Sequence, residues 1–412
     1  MSFIASRTNW DALLQEDYVQ KGIVEAINTA TPFKDTLKRV GMTSGRRRVY
    51  PVKVGASQGQ GARAEGAAMP QYGAGEYVDA LVRAKYNYAP LKITGQAEEF
   101  GTKAAFVEFA MQILKDTKEG LKLFTGRQCW GDGQGILALV NAGGGYAAGI
   151  SAITVDSAYG VAWGSLSTNT TFLLKRNASI QFGTENNGGS GYTILSVTNT
   201  GIVIDPPLQN AVADNTNITT TGSADLEIEG MLMATGTSAF MTGVLNLSTD
   251  TYHGIDRSAF PEWDGNVLDV AGGALSLTTI RILRDLIFNR TDDDESNLLM
   301  ASTAFSRVYE NLLVPAQRYV PATKLEGGHT LLEHDGLRVS KDSRAPQRAF
   351  FLTDTKTVQW AQTRDPHWEN DGSGILRVVP GQDAKEGLLK WYSELDFTEP
   401  RRCGVAYDIL IA

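Results

Sequence analysis

The sequence predicts an α+β protein that combines an extended β-hairpin, one long helix and a separate β-rich region. Three observations lead to this prediction: a glycine-rich stretch between two strand-like runs within 46–95, a helical apolar repeat over 97–125, and short β-like runs over 150–250. With 412 residues the chain is long enough for two or three cores. Its 42% hydrophobic and 20% charged residues are ordinary for a folded protein.

The N-terminal region predicts a helical arm. Asn9 can cap a helix over residues 9–28, in which Trp10 and Leu13 begin an apolar repeat, and Pro32 is expected to interrupt it. The segment lacks the apolar run of a secretory signal, so we expect the protein to stay in the cytoplasm in which it is made.

Residues 46–95 predict an extended hairpin. The runs RRRVYPVKVGA and YVDALVRAKYNYAPLKITGQ have strand patterns, and the glycine-rich stretch between them has few bulky apolar residues. Such a hairpin cannot bury a core of its own, so it should be stable only against another part of the chain or another copy. Two interpretations of the arginines in this hairpin stay open. They lie on a solvated face, or they form ion pairs with acidic residues of a neighbouring subunit. The residues expected to contact neighbouring subunits are Arg46, Arg47, Arg48, Arg63, Glu65 and Tyr72.

The helix over 97–125 is expected to end in the turn WGDGQG, followed by the apolar run ILALV. This turn lacks the lysine of a Walker A loop, and it follows a helix, whereas a dinucleotide fingerprint follows a strand. We therefore predict a structural turn that binds no nucleotide. Gly131, Gly133 and Gly135 would supply its unusual backbone angles.

Residues 150–250 predict an inserted β-rich domain, a small barrel or a sandwich, with a hairpin turn at NNGGSG. Most of the net charge of −8 belongs to this part of the chain, because residues 136–256 contain nine acidic and two basic residues. An acidic balance of this kind excludes a free-standing nucleic-acid binder, which needs a basic surface.

The last part of the chain predicts helices followed by strands. A helix over 275–290 begins after Ser276 as its N-cap, NLLMAS is a buried strand, and TAFSRVYENLL is a short helix. Beyond residue 330 the strand patterns include LRVS, RAFFLT, ILRVVP and GVAYDILIA.

The sequence contains no catalytic or metal-binding constellation. The four histidines show no zinc spacing, and no Gly-x-Ser-x-Gly elbow occurs. The acidic run 292–295 could hold a divalent cation, but a solvated loop is the simpler interpretation. Cys129 and Cys403 are expected to be buried thiols. We therefore expect no enzyme activity, no cofactor and no metal.

The order of these elements resembles the major capsid protein of tailed bacteriophages, the Hong Kong 97-type fold. The stretches that carry the resemblance are RRRVYPVKV…YAPLKIT, AEEFGTKAAFVEFAMQILKDTKEGLKLF, CWGDGQGILALV, LTTIRILRDLIFNR, NLLMASTAFSRVYENL, GLRVSKDSRAPQRAFFLTDTKTV and PRRCGVAYDILIA. The resemblance implies five segments: an N-terminal arm (1–45), an extended loop (46–95), the spine helix with the start of the peripheral domain (96–149), the inserted β-rich domain (150–250), and the axial domain with the remaining peripheral strands (251–412).

The resemblance also implies a function. Copies would form hexamers and pentamers of an icosahedral head that encloses double-stranded DNA without sequence-specific binding. The implied partners are a scaffolding protein, a portal protein and a possible decoration protein, with no membrane involved. Some relatives cross-link subunits through lysine and asparagine, but no motif fixes a partner for Lys53 or Lys85. Two alternatives stay open: an encapsulin-like nanocompartment shell, and, from another class, a β-rich glycan-binding or hydrolytic protein.

Overall fold

The structure is a computed structural model that describes most of the chain. The described residues are 31–42, 47–96, 103–291, 296–313, 323–324, 330–334, 336–370 and 375–411. The predicted helix over 9–28, Arg46 and the acidic run 292–295 lie outside them.

The described chain begins with a short helix, α1 (Pro32–Thr36), and a strand, β1 (Lys38–Gly41). Pro32 occupies the first turn of α1, where its missing N–H removes no helical hydrogen bond. Pro32 therefore begins a helix of its own. Phe33 of α1 is buried against Trp130, with ring centroids 5.3 Å apart.

The hairpin is formed by β2 (Arg47–Gly55) and β3 (Glu76–Arg83), which pair antiparallel from Arg47 opposite Arg83 to Gly55 opposite Glu76. The second strand-like run of the sequence is divided at Ala84. Its remainder is β4 (Lys85–Thr94), which pairs with a strand near the C-terminus of the chain. The hairpin prediction is thus confirmed, but its second strand ends at Arg83, thirteen residues before the end of that run at Gln96.

The long helix, α2 (Lys103–Gln128), has 26 residues and so extends over about 39 Å at 1.5 Å per residue. Ile113 of α2 packs against Leu91 and Ile93 of β4. The helix thereby covers one face of the sheet that contains β4.

A closed six-stranded barrel follows α2. Its strands are β5 (Ile136–Val140), β6 (Ala152–Asp156), β7 (Ser179–Phe182), β8 (Tyr192–Val197), β9 (Gly201–Asp205) and β10 (Asn217–Thr220), in the order β10-β5-β6-β9-β8-β7. Isoleucines and valines fill its interior, as the alternating burial of β6 and β9 shows. The barrel includes ILALV, which the sequence analysis assigned to the segment before 150, and its last strand ends at Thr220.

Short elements connect the barrel to the next sheet. They are α3 (Met231–Thr235), α4 (Ser238–Gly243), β11 (Thr251–Tyr252), β12 (Ile255–Asp256) and β13 (Asn266–Asp269). Then come α5 (Leu277–Thr291), β14 (Leu298–Ala301) and α6 (Thr303–Leu313). Ser276 Oγ accepts a hydrogen bond from Thr279 N at 3.1 Å, so Ser276 is the N-cap of α5 as predicted.

The remaining elements are strands: β15 (Thr323–Lys324), β16 (Thr330–His334), β17 (Leu337–Lys341), β18 (Phe350–Thr353), β19 (Val358–Gln362), β20 (His367–Trp368), β21 (Arg377–Val378), β22 (Ala384–Phe397) and β23 (Gly404–Tyr407). They complete a seven-stranded sheet, β13-β23-β18-β14-β17-β16-β15, and a six-stranded sheet centred on β22. The 14-residue β22 pairs with β4 and with β19. Sequence analysis did not single out this strand.

The seven-stranded sheet separates two cores. Leu299 and Phe350 face α5 and α6 on one side, whereas Met300 and Phe351 face α2 and the barrel on the other. This alternation along β14 and β18 gives strands that are buried on both faces, which explains their continuous apolar sequence.

Candidate assembly surface and the turn after the long helix

The hairpin has two parts with different surroundings. We call residues 47–55 and 76–83 the hairpin root and residues 56–75 the hairpin tip. In the root, Val54, Ala80 and Val82 are buried, and Tyr50, Val52 and Val78 pack partly against the main core. The root therefore packs against its own chain, which the sequence could not show.

The residues of the hairpin tip are exposed or only partly buried. Gly59 and Gly73 bring its two sides together, since a Cβ on Gly59 would lie 2.7 Å from Gly73 N, and Ser57 Oγ donates a hydrogen bond to Gly73 O at 2.7 Å. Met69 is 89% exposed and Tyr72 fully exposed. These two large side chains are therefore left uncovered by their own subunit.

The predicted contact residues are divided between these two parts. Arg63, Glu65 and Tyr72 lie exposed in the tip, and Arg47 is exposed in the root. Arg48, in contrast, is directed into its own subunit, where Nη1 lies 2.8 Å from Asp396 Oδ2. Arg48 is thus already paired within the chain, and contacts of the other described residues with a neighbour stay a prediction.

A second candidate surface lies beside the end of α2. A groove of about 640 Å³ is lined by residues 84–88, Phe124, Gln128 and residues 220–223 and 226–227. Tyr86 and Leu226 expose about half or more of their surface there. The groove thus offers apolar area close to the hairpin root.

The turn after α2 is held within the interior of the subunit. Trp130 is fully buried, and its Nε1 donates a hydrogen bond to Asp342 Oδ2 at 3.3 Å. Gly133 and Gly135 have φ of +93° and +79°, a region that glycine adopts readily and other residues rarely adopt. Gly131 lies outside that region, so the expectation of an unusual angle holds for two of the three glycines.

Acidic residues occupy the space next to this turn. Glu227 N donates to Gly133 O at 3.2 Å, and the carboxyl group of Glu227 lies against Gly135 and pairs with the buried guanidinium of Arg127. Glu229 lies against Gly133. The space beside Gly133 and Gly135 is thus filled by side chains of the subunit, which supports the structural interpretation of the turn.

Asp132, inside the turn, accepts hydrogen bonds from Gln134 N at 3.0 Å and from Gln134 Nε2 at 3.1 Å. Burial raises the pKa of Asp132 to about 6, and these hydrogen bonds only partly oppose the effect of burial. The turn therefore contains a carboxyl group whose ionisation destabilises the folded protein.

Among the described residues no group of three or more His, Cys, Asp or Glu is placed to hold a metal ion. Cys129 and Cys403 are buried free thiols, and burial raises the pKa of each to about 12. None of the helices in the described parts of the chain has the length and apolarity that a bilayer crossing needs.

Comparison with known proteins identifies the fold. A scan against protein-family models gives no match, and a search of curated proteins finds no relative. Among solved structures, the subunit in the capsid asymmetric unit of cyanophage A-1(L) aligns with a TM-score of 0.59 and 12% identity, over 98% of this chain and 99% of that one. The capsid protein of a native GTA particle aligns with a TM-score of 0.52 and 9% identity, over 99% and 100%. The chain has the fold of a capsid subunit.

The two alignments extend over almost the entire length of both chains. An encapsulin from Synechococcus elongatus PCC 7942 aligns with a TM-score of 0.46 and 6% identity, over 99% and 96%. The α+β class predicted from the sequence is confirmed.

Sequence analysis missed one cluster of buried titratable residues. Glu229, His253, Glu394 and Asp396 lie together beneath the hairpin root, although they come from three distant parts of the sequence. The local signal is SELDF at the end of β22, in which two acids alternate with apolar residues and all five residues are buried.

Proposed function

We propose that this protein is a major capsid subunit with the Hong Kong 97-type arrangement of arm, extended loop, spine helix, peripheral domain and axial domain, into which the barrel is inserted. Copies would form hexamers and pentamers that close into an icosahedral head around double-stranded DNA. The observation that carries the proposal is the full-length fold match to capsid subunits, in a chain whose hairpin tip lies uncovered.

The uncovered tip supports assembly in a specific way. A glycine-rich segment with exposed Met69 and Tyr72 gains little from its own subunit, but it can bury apolar area against a neighbour. Arg63 and Glu65 would pair with charges across that contact, and exposed Arg47 would do so nearer the root. The groove beside α2 is a second surface of the kind that subunits bury against each other.

The partners follow from this role. We propose a scaffolding protein that directs curvature, a portal protein at one vertex and a decoration protein on the outer surface. The subunit would be assembled in the host cytoplasm and would end in the virion. Its acidic balance fits a shell that encloses DNA without binding it tightly. We propose no catalytic activity and no cofactor for it.

The test is coexpression with the scaffolding protein, followed by electron microscopy of the particles. Closed heads are expected from the native chain. Deletion of residues 57–74 should abolish closed heads while the thermal unfolding midpoint of the subunit is unchanged. A replacement of residues 57–74 by Gly–Ser of equal length should also fail, because it retains the connection but not the contacts. Normal heads from both variants would contradict the role of the tip.

The nature of the contents separates the phage head from a nanocompartment. Heads filled through a portal should contain double-stranded DNA, whereas an encapsulin-like shell should contain a protein cargo. Binding of the native chain to a glycan array, without any particle formation, would instead favour the glycan-binding alternative.

A further inference from the structure

The groove beside the end of α2 runs along the open edge of a strand. Residues 84–88, which enter and begin β4, line it without a gap. Successive side chains of a strand point to opposite faces of the sheet, so a groove that touches all five residues follows the edge of the strand. β4 pairs with β22 on one side, and no other strand pairs with β4 among the described residues.

An open strand edge of this kind can accept a further strand. Its unpaired N–H and C=O groups offer backbone hydrogen bonds to an extended segment. One wall of the groove is the end of α2, with Phe124 and Gln128, and the other is the chain after the barrel, with residues 220–223 and 226–227. A segment with small side chains fits best between such walls, because its backbone can come close to the edge.

Two buried residues that line the groove have unsatisfied polar atoms. Gln128 Nε2 donates a hydrogen bond to Asn87 Oδ1 at 3.1 Å. Asn87 Nδ2 and Gln128 Oε1 have no hydrogen-bond partner among the described residues. One donor and one acceptor thus remain, and an amide group can satisfy both. This favours a peptide segment as the occupant of the groove.

The hairpin tip of the same subunit cannot be that segment. β3 extends from Glu76 to Arg83, and the groove begins at the next residue. At about 3.3 Å per residue, the tip therefore starts roughly 26 Å from the groove. A hairpin tip that occupies the groove belongs to a second copy of the chain.

The tip and the groove have matching apolar surfaces. The tip consists largely of glycine, alanine and glutamine, so its backbone is accessible. Its two large side chains, Met69 and Tyr72, are uncovered by their own subunit. Tyr86 and Leu226 of the groove are likewise exposed. Contact between the two surfaces would remove all four side chains from water.

The charges of the two surfaces also match. Lys85 and Glu227 line the groove, but both are paired within the subunit. Asp225, the residue before Leu226, is exposed and adds a negative charge at the rim of the groove. The tip offers the opposite charge in exposed Arg63. Complementary charges of this kind fix the register of a contact.

We propose that the groove beside α2 receives the hairpin tip of a second copy, which adds a strand to the open edge of β4. Met69 and Tyr72 of the tip cover the exposed apolar side chains of the groove. Arg63 of the tip pairs with Asp225 at the rim. The inference rests on the proposed function, because it names the surface on which the tip of a neighbouring capsid subunit lies.

Crosslinking with a short bis-maleimide tests the contact in heads made by coexpression with the scaffolding protein. Cys129 and Cys403 are buried, so the native chain should react little. Met69→Cys combined with Leu226→Cys should give a ladder of linked subunits on a denaturing gel. Met69→Cys combined with Leu195→Cys, at an exposed position of β8, should give single subunits. Heads in which the first pair links no better than the second would overturn the proposal and leave the proposed function standing.

An exchange of charges tests the register. Arg63→Glu and Asp225→Arg should each lower the yield of closed heads about tenfold, and the double variant should recover most of the yield because the pair is restored with its charges exchanged. An unchanged thermal unfolding midpoint shows that each variant has folded. A double variant that assembles no better than either single variant would contradict the proposal.

Failure of the proposed function has a different result. If the native chain forms no heads at all, that function is wrong, and the two cysteine pairs are then compared in the concentrated full-length subunit. A ladder specific to the pair with Leu226→Cys would still support the contact between groove and tip, and its absence would overturn that contact as well.

Discussion

The turn after the long helix and the hairpin tip are both rich in glycine, yet their surroundings are opposite. In the turn, Trp130 is fully buried and carboxyl groups pack directly against Gly133 and Gly135. In the tip, Tyr72 is fully exposed, and Gly66, with φ of +76°, has no atom of another residue near its missing Cβ. The same residue type therefore serves close packing in one region and an open loop in the other.

What separates the two regions is the bulky apolar sequence beside the glycines. The turn is followed by ILALV, the first barrel strand, which is buried along most of its length. The tip is surrounded by alanine, glutamine and more glycine, which provide little area to bury. Glycines of the turn should consequently affect folding, and residues of the tip should affect assembly.

Gly133→Val should show the largest effect on folding. A β-branched residue at φ of +93° is strained, and its Cβ would lie 3.3 Å from Glu229 Cγ. We expect the free energy of unfolding to fall by about 3 kcal/mol, measured by urea denaturation. Gly133→Ala and Gly131→Ala form the matched pair, because a Cβ on Gly131 meets no atom closer than 3.6 Å and its φ is ordinary. Equal losses in that pair would show that backbone conformation is not the cause.

Asp132→Asn tests how the stability contributed by the turn depends on pH. Because burial raises the pKa of Asp132 to about 6, the folded protein binds this proton more tightly than the unfolded chain does. Its contribution to stability is complete below about pH 4 and is lost as the pH rises to about 6. The variant should therefore gain about 2 kcal/mol relative to the native chain between pH 4 and pH 7. A difference that stays constant across that range would mean that Asp132 is not protonated in the fold.

Sequence alone could predict much of this fold because its signals are local. The helix α5 has its N-cap at Ser276 and its buried stripe at Ile280, Leu283 and Ile287, and both are visible in the sequence. The alternation in β6 and the apolar run of β14 are equally direct. Each of these elements depends on residues within one helix or strand.

Other features depend on partners distant in sequence, and the sequence could not predict them. The run 77–96 looks like one strand, but its first part pairs with β2 and its last part with β22. Asp396 and Glu394 are acids, which patterns assign to the surface, yet both are buried because Arg48, Tyr50 and the backbone of Glu229 supply their hydrogen bonds. For the same reason, the sequence could not predict that the hairpin root packs against the main core of its own subunit.

Gly66→Ala extends the comparison to the tip. The left-handed φ of +76° costs an alanine about 1 kcal/mol locally, but no neighbouring atom obstructs its Cβ. In an uncovered loop the backbone can relax, so the unfolding free energy should fall by no more than about 1 kcal/mol, well below the loss in Gly133→Val. Differential scanning calorimetry of the two variants side by side measures this contrast. A loss as large as that of Gly133→Val would mean that the tip is packed against its own subunit after all.

Tyr72→Ala should have the smallest effect on the subunit and a clear effect on its assembly. Since Tyr72 is fully exposed, its removal should change the unfolding free energy by less than about 0.5 kcal/mol. If a neighbour covers the ring in a shell, each contact loses a buried aromatic side chain, and the yield of closed heads should fall. Leu195→Ala, at a 47% exposed position on the barrel strand β8, is the control that removes apolar surface without touching the tip. Light scattering during assembly, with equal subunit concentrations, compares the two variants. Assembly as efficient in Tyr72→Ala as in Leu195→Ala would place the decisive tip contact elsewhere, with exposed Met69 the next residue to substitute.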